Sequence, residues 1–161
     1  MAKARTIELS ATEAYRDAAA RVVAARGAEL TEQAQGVLDT GDIERVHDMR
    51  VATRRLRASL EVFEPCFPRR AHRRVLREVK RLADGLGARR DRDVAISALD
   101  GFNRQMPVPD RKGVSSLVSS LREEQASANA ALATLVDPVN LGALGESIEE
   151  LVESAAGRHE V

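Results

Sequence analysis

Tryptophan is absent from this chain of 161 residues, and its only rings besides histidine are Tyr15, Phe63, Phe67 and Phe102. A surface that reads single strands by stacking bases on rings has little to work with here. An all-β domain would also lean on aromatic and β-branched residues, so that class is disfavoured. A single cysteine, Cys66, excludes an internal disulfide and any thiolate zinc cluster. Between Pro65 and Phe67 it reads as a small buried hydrophobe. No run of about 18 apolar residues occurs, so no membrane span is expected. The opening MAKARTIELS lacks the apolar stretch of a secretory signal, and the expected compartment is the cytoplasm. Gly-rich phosphate loops, H-E-x-x-H and G-x-S-x-G are all missing, so no enzyme and no cofactor are expected.

The composition that remains is 43% apolar and 31% charged, enough for one domain with a core. Alanine, leucine, arginine and glutamate dominate, which favours helix. The formal charge of zero conceals an asymmetry. Residues 45–93 hold 15 Lys and Arg against 7 Asp and Glu, a net +8, and the remainder holds 10 against 18, a net −8. A basic segment inside a neutral protein points to a partner of opposite sign, or to a helix surface neutralised by acidic neighbours.

No segment alternates with period two over strand length, and the spacing predicts an antiparallel bundle of about five helices in a single domain, 1–161. Ser10 and Glu13 fit a capping box for a first helix reaching Leu38, with Gly27 and Gly36 as soft spots. Asp42 can cap a second helix from Ile43 to Glu64, stopped by Pro65. A third begins near Arg69 and weakens at Gly85 and Gly87. Asp91 and Asp93 would then sit in the first turn of a short helix to Leu99. Residues 101–110, with two prolines, read as a loop. Asp110 can cap a long helix to Val136 whose apolar stripe is Val114, Leu117, Val118, Leu121, Ala128, Leu132, Leu135 and Val136. Asp137 and Pro138 read as N-cap and first position of a last helix ending near Gly157.

The second helix carries the clearest functional pattern. At about 100° per residue, Arg50, Arg54 and Arg57 fall within about 80° of His47. Met49, Ala52, Leu56, Leu60 and Phe63 cluster about 120° away, so the core face is complete without the basic residues. No acid enters the basic row until Glu61. Like charges at i,i+3 and i,i+4 cost a few tenths of a kcal/mol per pair, a cost that a purely structural helix would usually avoid. On the third helix Val75, Val79, Leu82 and Leu86 form the buried stripe, while Arg73, Arg77 and Lys80 share another face. His72 lies at the stripe's edge and reads as a packed histidine, and His159 carries no weight. His47 has Arg50 and Val51 where a second metal ligand would stand, so no metal site is expected. Arginine's planar fork suits phosphate oxygens, and several stacked arginines suit a repeating polyanion better than one small ester.

These two helices resemble the CHAD family, the conserved-histidine α-helical domain. Its first signature, V-H-x-x-R-V-x-x-R-R-L-R, is met by Val46, His47, Arg50, Val51, Arg54, Arg55, Leu56 and Arg57. The second, L-K/R-x-L-A-x-x-L-G-x-x-R-D-x-D-V, is met by Lys80, Leu82, Ala83, Leu86, Gly87, Arg90, Asp91, Asp93 and Val94, with Val79 in place of the first leucine. The resemblance implies an all-helical fold that binds inorganic polyphosphate on a basic surface, in the cytoplasm or at polyphosphate granules. It carries over His47, Arg50, Arg54, Arg57, Lys80 and Arg90 as ligands of phosphate oxygens, to which the helix reading adds Arg73 and Arg77. Arg55 matches the motif but sits aside from the row and can serve a neighbouring helix. Asp91 and Asp93 read as helix caps or as partners that orient Arg90. The family's usual domain is nearly twice as long and holds two similar bundles, whereas this sequence shows one copy of the basic helices. A homodimer is therefore expected. Non-specific binding to a nucleic-acid backbone is the alternative function, since the same charges attract any phosphate chain.

Overall fold

In the computed structural model, which describes residues 3–156, the backbone winds into five α-helices. They are α1 (Tyr15–Glu32), α2 (Ile43–Val62), α3 (Arg69–Gln105), α4 (Arg111–Leu135) and α5 (Pro138–Ala156). Single turns of 3-10 helix at Glu64–Cys66 and Val108–Asp110 make the corners before α3 and α4. The described residues contain no strand, and the all-α expectation holds. The expected end near Gly157, and His159, lie outside the described residues.

The apolar stripes decide how the helices pack. Val46, Met49, Leu56 and Leu60 of α2 meet Val75, Val79, Leu82 and Leu86 of α3 in one core with Val23 and Leu30 of α1, Leu132 of α4, and Ile148 and Leu151 of α5. At one end of the α2–α3 pair the Leu60 carbonyl meets His72, and at the other the Ile43 carbonyl meets Arg90, so the two helices run antiparallel. α4 runs back along α3, from the Asn103–Ser115 bond to the Arg89–Asn129 bond. α5 closes the bundle against α1. Cys66 is buried in the corner before α3, and burial pushes its thiol pKa up, as expected of a small packed hydrophobe.

Several local expectations are overturned for identifiable reasons. The capping box at Ser10 does not form. Ser10 Oγ is instead hydrogen-bonded to Thr12, the Glu13 carboxylate accepts from Arg21 at 2.7 Å, and α1 starts at Tyr15. α1 also stops at Glu32, well short of Leu38. Gly36 lies beyond it at φ +72°, a backbone region that glycine enters without a Cβ penalty. Asp42 stands at the N-cap of α2, but its carboxylate pairs with Arg45 at 3.0 Å rather than capping an amide. Asp110 likewise makes no side-chain cap. At Asp137 the expectation is met: Oδ1 accepts from the amides of Val139 and Asn140 at 2.9 and 3.0 Å.

The largest correction concerns α3. It runs unbroken for 37 residues through Gly85, Gly87 and Gly101, so there is no separate short helix, and Asp91 and Asp93 lie mid-helix. Packing overrides the glycine propensity here. A Cβ at Gly85 would come within 2.7 Å of Leu135 Cδ1, so the glycine is what lets α4 approach. Residues 101–105, expected in a loop, form the last turn of α3. The stripe proposed for α4 is only partly used, because Val118, Leu132 and Val136 are buried while Leu117 stays half-exposed. The first half of α4 packs mainly on the far end of α3, and two helices alone bury a narrow strip.

Candidate anion-binding surface

Burial of the α2 stripe fixes where its other residues stand. With Met49, Leu56 and Leu60 inside, Arg50 and Arg54 project from the surface, and His47 and Arg57 are half-buried beside them. On α3, burial of Val75, Val79, Leu82 and Leu86 leaves Arg73 and Arg77 exposed and Lys80 half-buried. Arg50, Arg54 and Arg57 form one wall of a shallow groove of about 400 Å³ between the helices. The opposite wall is Ala83, Asp84, Gly87, Ala88 and Asp91 of α3. Arg73 and Arg77 lie outside that groove, in a second concavity further toward the start of α3.

Glu61 ties the α2 row to α3. Its carboxylate accepts from Arg57 Nε at 3.0 Å and lies 3.7 Å from Lys80 Nζ. The Arg57 hydrogen bond holds the Glu61 carboxyl below its ordinary pKa, aided by the charges of Arg57 and Lys80 and opposed by slight desolvation. Arg57 of α2 and Lys80 of α3 thus already hold one carboxylate oxygen between them. Among the described residues no salt bridge reaches Arg50, Arg54, Arg73 or Arg77. The surface therefore offers unspent guanidinium forks to an oxyanion.

Arg90 has a different position. It is mostly buried, donates to the Ile43 carbonyl at 3.0 Å and lies 3.6 Å from Glu44. It holds the start of α2 against α3, and neither Asp91 nor Asp93 orients it. Asp93 instead takes Arg89, which the sequence reading passed over. Both side chains are fully buried, with Arg89 Nε donating to Asp93 Oδ1 at 2.9 Å. Gln125 of α4 donates to the same oxygen at 2.6 Å. Asn129 of α4 accepts from Arg89 and donates to the Leu38 carbonyl at 3.0 Å. The network thus joins α3, α4 and the turn that launches α2. A signal for it existed: Arg89 and Asp93 continue the buried series Val75, Val79, Leu82, Leu86 at helical spacing, four residues apart and opposite in charge. His72 is packed as expected, with Nε2–H donating to the Leu60 carbonyl at 2.7 Å and the ring stacked on Phe67. No group of three His, Cys, Asp or Glu that could hold a metal occurs among the described residues.

Comparison with known proteins fits this geometry to a class. The CHAD domain sequence model matches residues 21–160, and the chain belongs to the CHAD domain family. It is similar to the crystal structure of the CHAD domain from the plant Ricinus communis, with a TM-score of 0.70 and 25% sequence identity. That similarity covers 94% of this chain and 51% of the plant chain, so this chain spans about half the length of its structural relative. No curated protein matches. No helix among the described residues is long and apolar enough to cross a membrane.

Proposed function

We propose that this chain binds inorganic polyphosphate, and that it does so as a binding protein rather than a catalyst. The ligand lies along α2 and the adjoining face of α3, with oxygens taken by His47, Arg50, Arg54, Arg57, Arg73, Arg77 and Lys80. Arg90 holds the two helices in register. One observation carries the reading: a row of arginines along α2 that the core does not need and that, at Arg50 and Arg54, forms no salt bridge among the described residues. Membership of the CHAD family supports it. A flexible chain of closely spaced charges can follow such a row, and its binding releases counterions. Two copies of the chain associate, covering Phe102 and Leu117, which are 55% and 50% exposed on the α3–α4 arm.

A direct competition tests the function. Labelled long-chain polyphosphate is displaced from the protein at physiological salt by unlabelled polyphosphate, duplex DNA or single-stranded RNA, matched for phosphate concentration. Polyphosphate displaces at much the lowest concentration if the reading is right. Equal displacement by all three makes the surface a general phosphate-backbone binder.

A further inference from the structure

The arginines of α3 differ in whether an acid meets them. Arg74, Arg81, Arg89, Arg90 and Arg92 each meet an acid within 4 Å: Glu150, Glu78, Asp93, Glu44 and Glu124. Arg69, Arg70, Arg73 and Arg77 meet none among the described residues, yet all four line one concavity of about 470 Å³. At helical spacing Arg69, Arg73 and Arg77 stack on successive turns over about 12 Å of axis, with Arg70 flanking them. Four like charges crowded at i,i+3 and i,i+4 repel one another. Of the other arginines of α3, all but Arg104 near its end have an acid within 4 Å.

Because α2 and α3 are antiparallel, this cluster continues the line of Arg50, Arg54 and Arg57 beyond the Arg57 end. Between the two groups sits Glu61, bound to Arg57 and Lys80. The groove around Arg50 and Arg54 is itself tempered by Asp84 and Asp91 on its far wall. Only acid-free arginines line the concavity at the start of α3, so it is the more cationic of the two.

We infer that Arg69, Arg70, Arg73 and Arg77 form a second oxyanion subsite, separated from the α2–α3 groove by Glu61, so that the surface selects polyphosphate chains long enough to occupy both. The inference rests on the polyphosphate reading and adds a length requirement to it. A short oligophosphate fills one subsite at a time. A long chain crosses the Glu61 bridge and engages both, and the second contact becomes intramolecular.

The test compares two exposed double variants of the full chain, Arg70→Ser with Arg73→Ser and Arg50→Ser with Arg54→Ser, with circular dichroism to confirm the fold. Calorimetry with tripolyphosphate should find two sites per chain in the wild type and one in each variant. Long-chain polyphosphate should lose at least about tenfold in affinity in either variant. Its slope of log affinity against log salt should fall by about 1.4 for the two contacts removed. One tripolyphosphate site in the wild type would overturn the subsite. So would a variant lacking Arg70 and Arg73 that binds long chains as the wild type does, and in that case the α2–α3 groove would still stand as the polyphosphate site. A wild type that fails to bind long-chain polyphosphate at all would remove the functional reading itself.

Discussion

Replacing Asp93 by alanine strips the carboxylate from a guanidinium that has no route to water. Arg89 and Asp93 have fully buried side chains, joined at 2.9 Å. In the variant Arg89 keeps Asn129 and a distant contact to the Asp39 carbonyl at 3.5 Å, both neutral acceptors. Breaking a buried pair from one side costs about 3–5 kcal/mol, because the remaining charge stays desolvated. A domain of this size holds about 5–15 kcal/mol in all, so the loss is a large part of its stability. At about 2–4 °C per kcal/mol, Tm should fall by roughly 10 °C. Removing both charges with well-packed apolar residues, as in Arg89→Met with Asp93→Leu, should recover most of the loss. Urea unfolding followed by circular dichroism of the wild type, Arg89→Met, Asp93→Leu and the double variant closes the cycle, and a coupling energy of about 2 kcal/mol or more is expected. A cost below about 1 kcal/mol for Asp93→Ala, or simple additivity in the double variant, would refute the buried-pair account. The loop carbonyls of Leu38 and Asp39 depend on the same network, so the single variant should also raise hydrogen exchange at the start of α2.

Other outcomes follow from the same geometry. Arg54→Ala should lower the salt slope of polyphosphate binding by up to about one unit, while Arg104→Ala and Arg122→Ala, outside the basic segment, should leave it unchanged; equal effects would misplace the site. Glu61→Gln should strengthen binding, because Arg57 and Lys80 lose their internal competitor. Glu61 has its folded pKa depressed below 4.5, so its ion pairs are intact above that value and are lost as pH falls through the lowered one. Wild-type affinity should therefore rise on acidification below the ordinary carboxylate range, with Asp84 and Asp91 of the groove wall adding to the effect, and Glu61→Gln should reduce the rise; a rise of undiminished size in the variant would acquit Glu61. Light scattering should give twice the 17.5 kDa chain mass, and Phe102→Glu with Leu117→Glu should return it to a monomer. A monomeric wild type would refute the association.

The sequence by itself determined the features that depend on neighbours one or two turns away. The buried stripes of α2 and α3 appear at their predicted positions because burial of one helix face is a local periodicity. Asp137 and Pro138 start α5 as expected because a cap needs only the next two or three amides. The row of Arg50, Arg54 and Arg57 was legible for the same reason, since residues three and four apart share a face whatever packs beside them. The tertiary structure alone decided what distant residues offered. Gly85 and Gly87 read as a break until Leu135 of α4 filled the space over Gly85. Ser10 read as a cap until Arg21 took the Glu13 carboxylate on which the box depends. Arg90 carried the motif while Arg89 carried the buried charge, a distinction set by which guanidinium faces α4 and which faces the start of α2. Spacing along one helix could not show that Glu61 would reach Lys80 across two helices, or that the basic row would split into a groove and a separate arginine cluster. Periodicity assigns a residue to a face of its own helix, and only the packing of helices far apart in sequence assigns that face a neighbour.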